Sequence, residues 1–317
     1  RAEKEMSIAE RALFLGSKKF GLEIFKSIYY TSEDLKWRVL CPQDLDDIRT
    51  CQNEFLNLCT KENLDLLVVT SVAMVTEAVK DFEPDVMIVS GYYNILPKKL
   101  LDLVPLGVWG IHNSLLPKYR GGAALVWQII NGEKELGSSL FKFTTEMDAG
   151  EILHQVTINS DGQTTIKTAT EQIQKLWIEQ LPQKWRDLLN GEVELIVQNE
   201  EDATYCAQRT EEDGEISWSK TAKFIDRFIR AQATPYPRAY FIFEGHKIKI
   251  VEHQIFLQKV FGTPGQVFMR HKESVVICCE QETAIKLVKV EIDGVVKNAS
   301  EVLKRLPDLP IIMDKAN

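Results

Sequence analysis

The sequence predicts an α/β protein: a first unit built on a mostly parallel sheet, followed by a smaller β-rich barrel. Three features predict it. Short apolar runs alternate with longer stretches of helical spacing through the first half, as βαβ units require. A dense polar segment directly follows the fifth apolar run, where an open α/β sheet places its ligands. Short strand-like runs then recur at regular spacing through the last third, the pattern of a small barrel.

Taken in order, Ala12–Gly16, Trp37–Leu40, Leu66–Val69 and Val86–Ser90 are short, apolar and bounded by polar residues, and each reads as a buried strand. Helical spacing covers Phe20–Tyr29, Leu45–Lys61 and Val75–Phe82. The turn from Gly16 to Gly21 is neither GxGxxG nor a P-loop, so tight-turn geometry is preferred over a nucleotide site. The fifth run, Leu103–Val108, leads into a polar loop over Gly110–Gly122 and a helix from about Ala123 to Asn131. Gly137–Phe143 and Glu151–Ile158 read as strands joined by the turn Thr144–Gly150, and Thr165–Leu189 as the helix that closes the first unit. Beyond it Phe224–Ala231 reads as a short helix, and Ala239–Phe243, Lys247–Val251, Gln266–Met269, Val275–Cys279 and Ala284–Val290 as strands.

Composition narrows the function classes. The chain has 317 residues, 44% of them hydrophobic, enough to bury a sizeable core without staples. Charged residues of both signs make up 26%, which excludes intrinsic disorder. A net charge of -8 argues against a partner gripped through its phosphate backbone. No apolar run approaches the roughly 20 residues of a membrane span. The stretch Arg1–Glu10 is charged, lacks the apolar region of a secretory signal and begins without Met, as a processed end or a cut from a longer chain would. Cys41, Cys51, Cys59, Cys206, Cys278 and Cys279 form no CxxC pair and read as reduced core thiols. The expectation is a soluble cytoplasmic enzyme or binding protein.

The chemistry is expected in the polar segment that carries His112, Asn113, Ser114, Pro117, Lys118, Arg120, Gly121 and Gly122. A lone histidine is more often structural than catalytic, but His112 lies at a predicted strand end among polar residues and a proline-fixed turn. The second element is Asp148-Ala149-Gly150 in the turn between two strands, which by itself reads as an Asx-type turn. His154, His246, His253 and His271 lack ligand spacing with one another or with the cysteines, so no metal is expected. Tyr240, Phe241 and Phe243, with Tyr236, read as core before a stacking platform for a base.

Together the two polar elements, His112 to Gly121 in the pattern HxSLLPxxRG and then Asp148 to Gly150, resemble the folate-dependent formyltransferase family. That family includes methionyl-tRNA formyltransferase, sugar N-formyltransferases and the hydrolase domain of formyltetrahydrofolate dehydrogenase. The stretch Pro84-Asp85 with Gly91 to Pro97 is similar to the family's pterin-side loop, and Gln208 to Trp218 with Ile229 to Pro237 to the start of its barrel domain. The resemblance implies a Rossmann-like formyltransferase domain over 10–190, a linker over 191–205 and an OB-like β-barrel domain over 206–317. It implies 10-formyltetrahydrofolate as co-substrate, with no metal. His112 would act on the acceptor amine as a base, or on the oxyanion as imidazolium, with Asp148 orienting it. The folate would be held by backbone groups at Asn94, Ile95 and Leu96 and by the loop with Thr145 and Met147. Asn113, Ser114, Lys118 and Arg120 would shape the cleft and meet the acceptor.

Two departures bear on activity. Family transferases place an Asn two residues before the histidine, where this chain has Gly110. Loss of one oxyanion donor typically costs about a hundred- to a thousand-fold in rate. A water, a backbone N–H or Asn113 could replace it; a hydrolase-like enzyme and an inactive folate-binding relative are the alternatives. Many relatives also carry a proline where this chain has Ala124. The loop Cys41–Asp47 is short and acidic where methionyl-tRNA formyltransferases carry a longer basic insertion, which argues against tRNA. The segment His112–Gly132, with Trp127 and Asn131 to Glu133, is most similar to enzymes that formylate nucleotide-linked amino sugars. The expected partners are therefore folate and a nucleotide-linked amino sugar, with no membrane, no nucleic acid and, by the same resemblance, a homodimer.

Overall fold

The computed structural model describes residues 9–45, 47 and 49–303; most of the charged N-terminal stretch lies outside the described residues. The described chain folds as two compact units, one of residues 9–124, 136–158 and 170–206, the other of 125–135, 159–169 and 207–303.

The first unit is built on the seven-stranded sheet β3-β2-β1-β4-β5-β7-β8. Its strands are β1 (Arg11–Leu15), β2 (Lys36–Pro42), β3 (Asp65–Val69), β4 (Val86–Val89), β5 (Val108–His112), β7 (Glu135–Lys142) and β8 (Ile152–Asn159). Pairing is parallel from β3 through β5, and β7 runs antiparallel to β5. All four residues of β4 are buried, as expected of a strand covered on both faces. The crossovers are α1 (Lys19–Tyr29), α2 (Gln52–Lys61), α3 (Val72–Phe82) and the short α4 (Lys98–Leu101). Leu22, Ile24, Phe25 and Ile28 form the buried stripe of α1, and Phe25 packs on Phe14 and Trp37. The Ser71 side chain caps α3 by accepting from the Met74 N–H. The strand order reverses between β1 and β4, so the carboxyl edge there and at β5 is the expected ligand edge.

Three expectations shift. Helical spacing began at Leu45, but α2 starts at Gln52; among the described residues before it, Asp44, Asp47 and Thr50 are tied into a polar turn. The polar loop expected from Gly110 begins later, because β5 takes in Gly110, Ile111 and His112 through pairing with β7. Side-chain polarity does not bar these residues from a strand whose backbone pairs with β7 up to His112. The loop also holds the short β6 (Arg120–Gly121), ahead of α5 (Ala124–Asn131).

The long α6 (Ile166–Leu189) carries Trp177 and Trp185 fully buried. Residues 191–205, read from the sequence as a linker, pack back onto the first unit. Ile196 bridges Ile152, and β9 (Tyr205–Cys206) pairs with β6. Within the segment, Gln198 and Glu200 meet the buried Arg120 guanidinium.

The second unit is an antiparallel sheet in the order β10-β11-β14-β13-β12, with β15 on β14. Its elements are α7 (Ala222–Ala231), β10 (Tyr240–Phe243), β11 (His246–Phe256), β12 (Val267–Arg270), β13 (Val275–Cys278), β14 (Ala284–Ile292), β15 (Val295–Asn298) and α8 (Ala299–Val302). Register shifts at Glu252 and between Val267 and Met269 let β11 and β12 bend, giving the half-barrel character of the sheet. Trp218, Ile225, Ile229, Phe241, Phe243, Ile248 and Leu287 form its core. Tyr240 is buried too, so these barrel aromatics are packing residues. Trp127 belongs to this unit, where the Arg209 guanidinium lies over its ring and its Nε1–H donates to the Ala207 carbonyl. All six cysteines are unpaired, five of them buried. No helix among the described residues is long and apolar enough to cross a membrane.

Candidate active site

His112 is the last residue of β5, at the carboxyl edge of the sheet. Its Nε2 lies 2.7 Å from the Tyr119 carbonyl oxygen. A carbonyl only accepts, so Nε2 carries the proton and donates. Nδ1 then faces the Asp148 carboxylate at 3.6 Å, too far for a hydrogen bond but close enough for an ion pair once the ring is protonated. Both side chains are mostly buried, 12% and 22% exposed, which reduces solvent screening between them. Ring orientation is thus set by a backbone carbonyl of the polar loop, and the carboxylate stands by as counter-ion.

Asp148 is held in turn. Its Oδ2 accepts from the Gly121 N–H at 2.8 Å, and its backbone sits in the left-handed region at φ 50. Non-glycine residues rarely adopt that conformation without support from their surroundings. Here Gln198 gives that support: its Nε2 donates to the carbonyls of Asp148 and Gly150 at 2.8 and 2.7 Å. At Gly150 a Cβ would stand 1.7 Å from the Lys142 carbonyl oxygen, so the turn tolerates no side chain there. The Cys206 thiol lies beside the pair and donates to the Tyr119 and Arg120 carbonyls; burial first, then the Asp148 charge, pushes it up to about 11. It is therefore a thiol, not a thiolate, at neutral pH.

The other expected site residues divide by what their side chains touch. Arg120 is 1% exposed and engaged by the chain itself. Its guanidinium donates to Gln198 Oε1, to both Glu200 carboxylate oxygens at 2.7–2.8 Å, and to the Tyr205 hydroxyl. That differs from the expectation that it meets an acceptor: the arginine supports the wall of the site. Ser114 is fully buried and donates to the Lys118 carbonyl. Asn113 Oδ1 accepts from Ser138 Oγ, which also donates to the His112 carbonyl. Ser138 neighbours Ser139, the residue directly opposite His112, so its side chain leaves the other face of the sheet. Asn113 is turned to that face and away from the histidine ring. Lys118 is exposed.

Around the expected folate loops, Ile95 and Met147 present large apolar side chains, 79% and 55% exposed, and Asn94 and Thr145 are exposed. Leu96 is buried in the core with Leu100 and Val104, so only its backbone can face a ligand. Among the described residues no group of three or more His, Cys, Asp or Glu is arranged to hold a metal ion.

At the switch between β1 and β4 the Gly16–Gly21 turn is closed by its own charges. Lys18, 8% exposed, pairs with Asp44 and Asp47, and Asp47 also takes a bidentate pair from Arg49. The Asp47 carboxyl is held far below its ordinary range, first by the Arg49 hydrogen bonds and against burial. Burial pushes the Asp44 carboxyl up, but hydrogen bonds from Lys18, Ser17 and Thr50 outweigh it and hold that carboxyl low. Folding therefore favours both ionised forms. Their contribution is complete above the unfolded value of about 4 and is lost as pH falls toward the depressed folded values. A Lys18→Met variant is expected to show a shallower fall of Tm between about pH 4 and pH 2. Thermal melts across that range test this; a limb as steep as the wild type's would show that the pairs contribute nothing.

Residues 53–184 match the formyl transferase family model, and residues 209–306 match that of its C-terminal domain. The methionyl-tRNA formyltransferase of Enterococcus faecalis is 35% identical over 218 residues, 69% of each chain. The chain belongs to the formyl transferase family. Solved structures share the fold at lower identity. An N-formyltransferase from Helicobacter canadensis, in complex with folinic acid and dTDP-3-aminofucose, has a TM-score of 0.65 at 16% identity, over 88% of this chain and 98% of that one. HypX from Aquifex aeolicus, in complex with tetrahydrofolic acid, has a TM-score of 0.60 at 19% identity, over 94% of this chain. The chain spans about half of HypX, 47% of its length. Family membership makes this an enzyme of folate-dependent one-carbon transfer, as the resemblance implied.

Sequence reasoning missed two contributors: the Tyr119 carbonyl and Gln198. Both act through backbone contacts that no motif encodes.

Proposed function

We propose that the chain moves the formyl group of 10-formyltetrahydrofolate to the amine of a nucleotide-linked amino sugar. The observation that carries the transfer is the His112–Asp148 pair at the carboxyl end of β5. With Nε2 tied to a carbonyl, the Nδ1 lone pair of the neutral ring is the group that accepts the amine proton as the amine attacks the formyl carbon. The imidazolium so formed is neutralised by Asp148 and can return the proton to the departing folate nitrogen. Exposed Ile95 and Met147 offer apolar surface to the flat folate ring, with backbone groups at Asn94–Leu96 and Thr145 beside them. Gly110 supplies no side-chain donor, so oxyanion stabilisation falls to backbone N–H groups or the imidazolium.

Acceptor choice is supported by the loop after β2. Asp44 and Asp47 take up Lys18 and Arg49, leaving an acidic turn that has little to offer a phosphate backbone. Exposed Lys118 is the cation proposed to meet a diphosphate, while Asn113 and Ser114 shape the loop that carries it. Six unpaired thiols support a reducing, cytoplasmic setting. Methionyl-tRNA is the second reading, favoured by the Enterococcus faecalis relative.

The two separate in one assay of tetrahydrofolate release from 10-formyltetrahydrofolate, with dTDP-linked amino sugars or with methionyl-tRNA as acceptor. Amino-sugar-dependent release that changes little with salt is expected. Release that needs methionyl-tRNA, with affinity falling about a thousand-fold or more between roughly 50 and 200 mM salt, would replace the sugar with tRNA. Release with no amine present would make the enzyme a hydrolase.

A further inference from the structure

Gly110 is not an empty position. A Cβ built there would lie 2.0 Å from Cε1 and 2.6 Å from Cζ of Phe143, so the aromatic ring already fills the volume into which any side chain at 110 would project. The register explains why. Gly110 pairs with Phe141 and His112 with Ser139, and side chains alternate along a strand, so Gly110, His112, Phe141 and Phe143 share one face. The Phe143 N–H continues the ladder by donating to the Val108 carbonyl at 2.7 Å. Its ring lies 5.2 Å from that of Phe141, whose ring meets His112 edge-on at 6.4 Å. It also packs against two buried clusters, one with Leu96 and Val108, the other with Leu116 and Ile152, which fixes its position. The face that presents His112 is therefore aromatic where a polar donor is absent.

We propose that Phe143 is a specificity-determining residue whose ring, matched to Gly110, walls the His112 face against water and so favours an amine over water as the nucleophile. This rests on the formyl-transfer reading. In transfer, the amine nitrogen bonds to the formyl carbon, the bond from that carbon to the folate nitrogen breaks, and the amine's proton ends on the folate nitrogen. In hydrolysis, a water oxygen takes the amine's place, and formate leaves with tetrahydrofolate. Both routes use the same histidine, so what stands beside it decides between them. An apolar ring in contact with the Gly110 backbone gives water no partner there and lowers the local dielectric around the His112–Asp148 pair.

The test measures formate and tetrahydrofolate release from 10-formyltetrahydrofolate without acceptor. It compares wild type, Phe143→Ala, Phe143→Leu, Gly110→Asn and the double variant Gly110→Asn/Phe143→Ala, with Tm and tetrahydrofolate binding as controls. Phe143→Ala is expected to raise acceptor-independent formate release about tenfold or more, and Phe143→Leu to raise it less. Gly110→Asn alone is expected to lower Tm, and Phe143→Ala in the same chain to recover part of that loss, because the ring and the new side chain compete for one volume. Formate release unchanged in both Phe143 variants, with tetrahydrofolate binding intact, overturns the wall. Independent, additive Tm changes for Gly110→Asn and Phe143→Ala overturn the pairing. A wild-type protein that neither binds nor consumes 10-formyltetrahydrofolate instead overturns the formyl-transfer reading, and this inference with it.

Discussion

His112→Ala is expected to lower kcat/KM for formyl transfer by about a hundred- to ten-thousand-fold, the range over which a positioned acid–base group acts. Tetrahydrofolate binding should stay close to wild type, because the loops that would hold the folate are anchored elsewhere: Leu96 lies in the core and the 144–150 turn hangs from Gln198. Asp148→Asn should fall short of that loss. The amide keeps an oxygen for the Gly121 N–H but removes the charge that neutralises the imidazolium. Steady-state kinetics against pH, with folate binding measured separately, check both variants. Wild-type rates in His112→Ala would remove the histidine from the mechanism.

The second large effect is expected at Arg120. Arg120→Ala leaves a cavity where a fully buried side chain stood and strips Gln198 Oε1 of its donors, while Glu200 is exposed enough to return to water. A loss of about 2–4 kcal/mol is the expected scale for removing a large buried side chain together with its hydrogen bonds. Catalysis should fall too, by the route Arg120 to Gln198 to the Asp148 and Gly150 carbonyls. Gln198→Glu separates the two effects. It keeps an acceptor for Arg120 but sets a carboxylate against two carbonyl oxygens, so kcat should drop with the donor KM nearly unchanged. Denaturant unfolding and kinetics on both variants decide. If Gln198→Glu turns over like the wild type, the segment 198–206 supports the fold without positioning Asp148.

What the sequence determined by itself is the part of the protein written in local order. Alternating apolar runs and helical spacing located the strands and crossovers of the first unit, because a strand buried on both faces is apolar along its whole length, as Val86–Val89 is. The polar segment at a strand end and the Asp-Ala-Gly turn singled out His112 and Asp148 through their joint resemblance to the formyltransferases, since each element alone also reads as an ordinary loop or turn. Tertiary structure alone decided which neighbours those residues have. Arg120 looked like an exposed cation and is buried on Gln198 and Glu200, residues some eighty positions away that read as a connector. Asn113 looked able to replace a missing amide, but its Oδ1 is taken by the Ser138 hydroxyl. Gly110 looked like a simple loss, and it faces a phenylalanine ring that fills the same space. Side-chain contacts across strands and between distant segments depend on register and packing, which local periodicity does not encode.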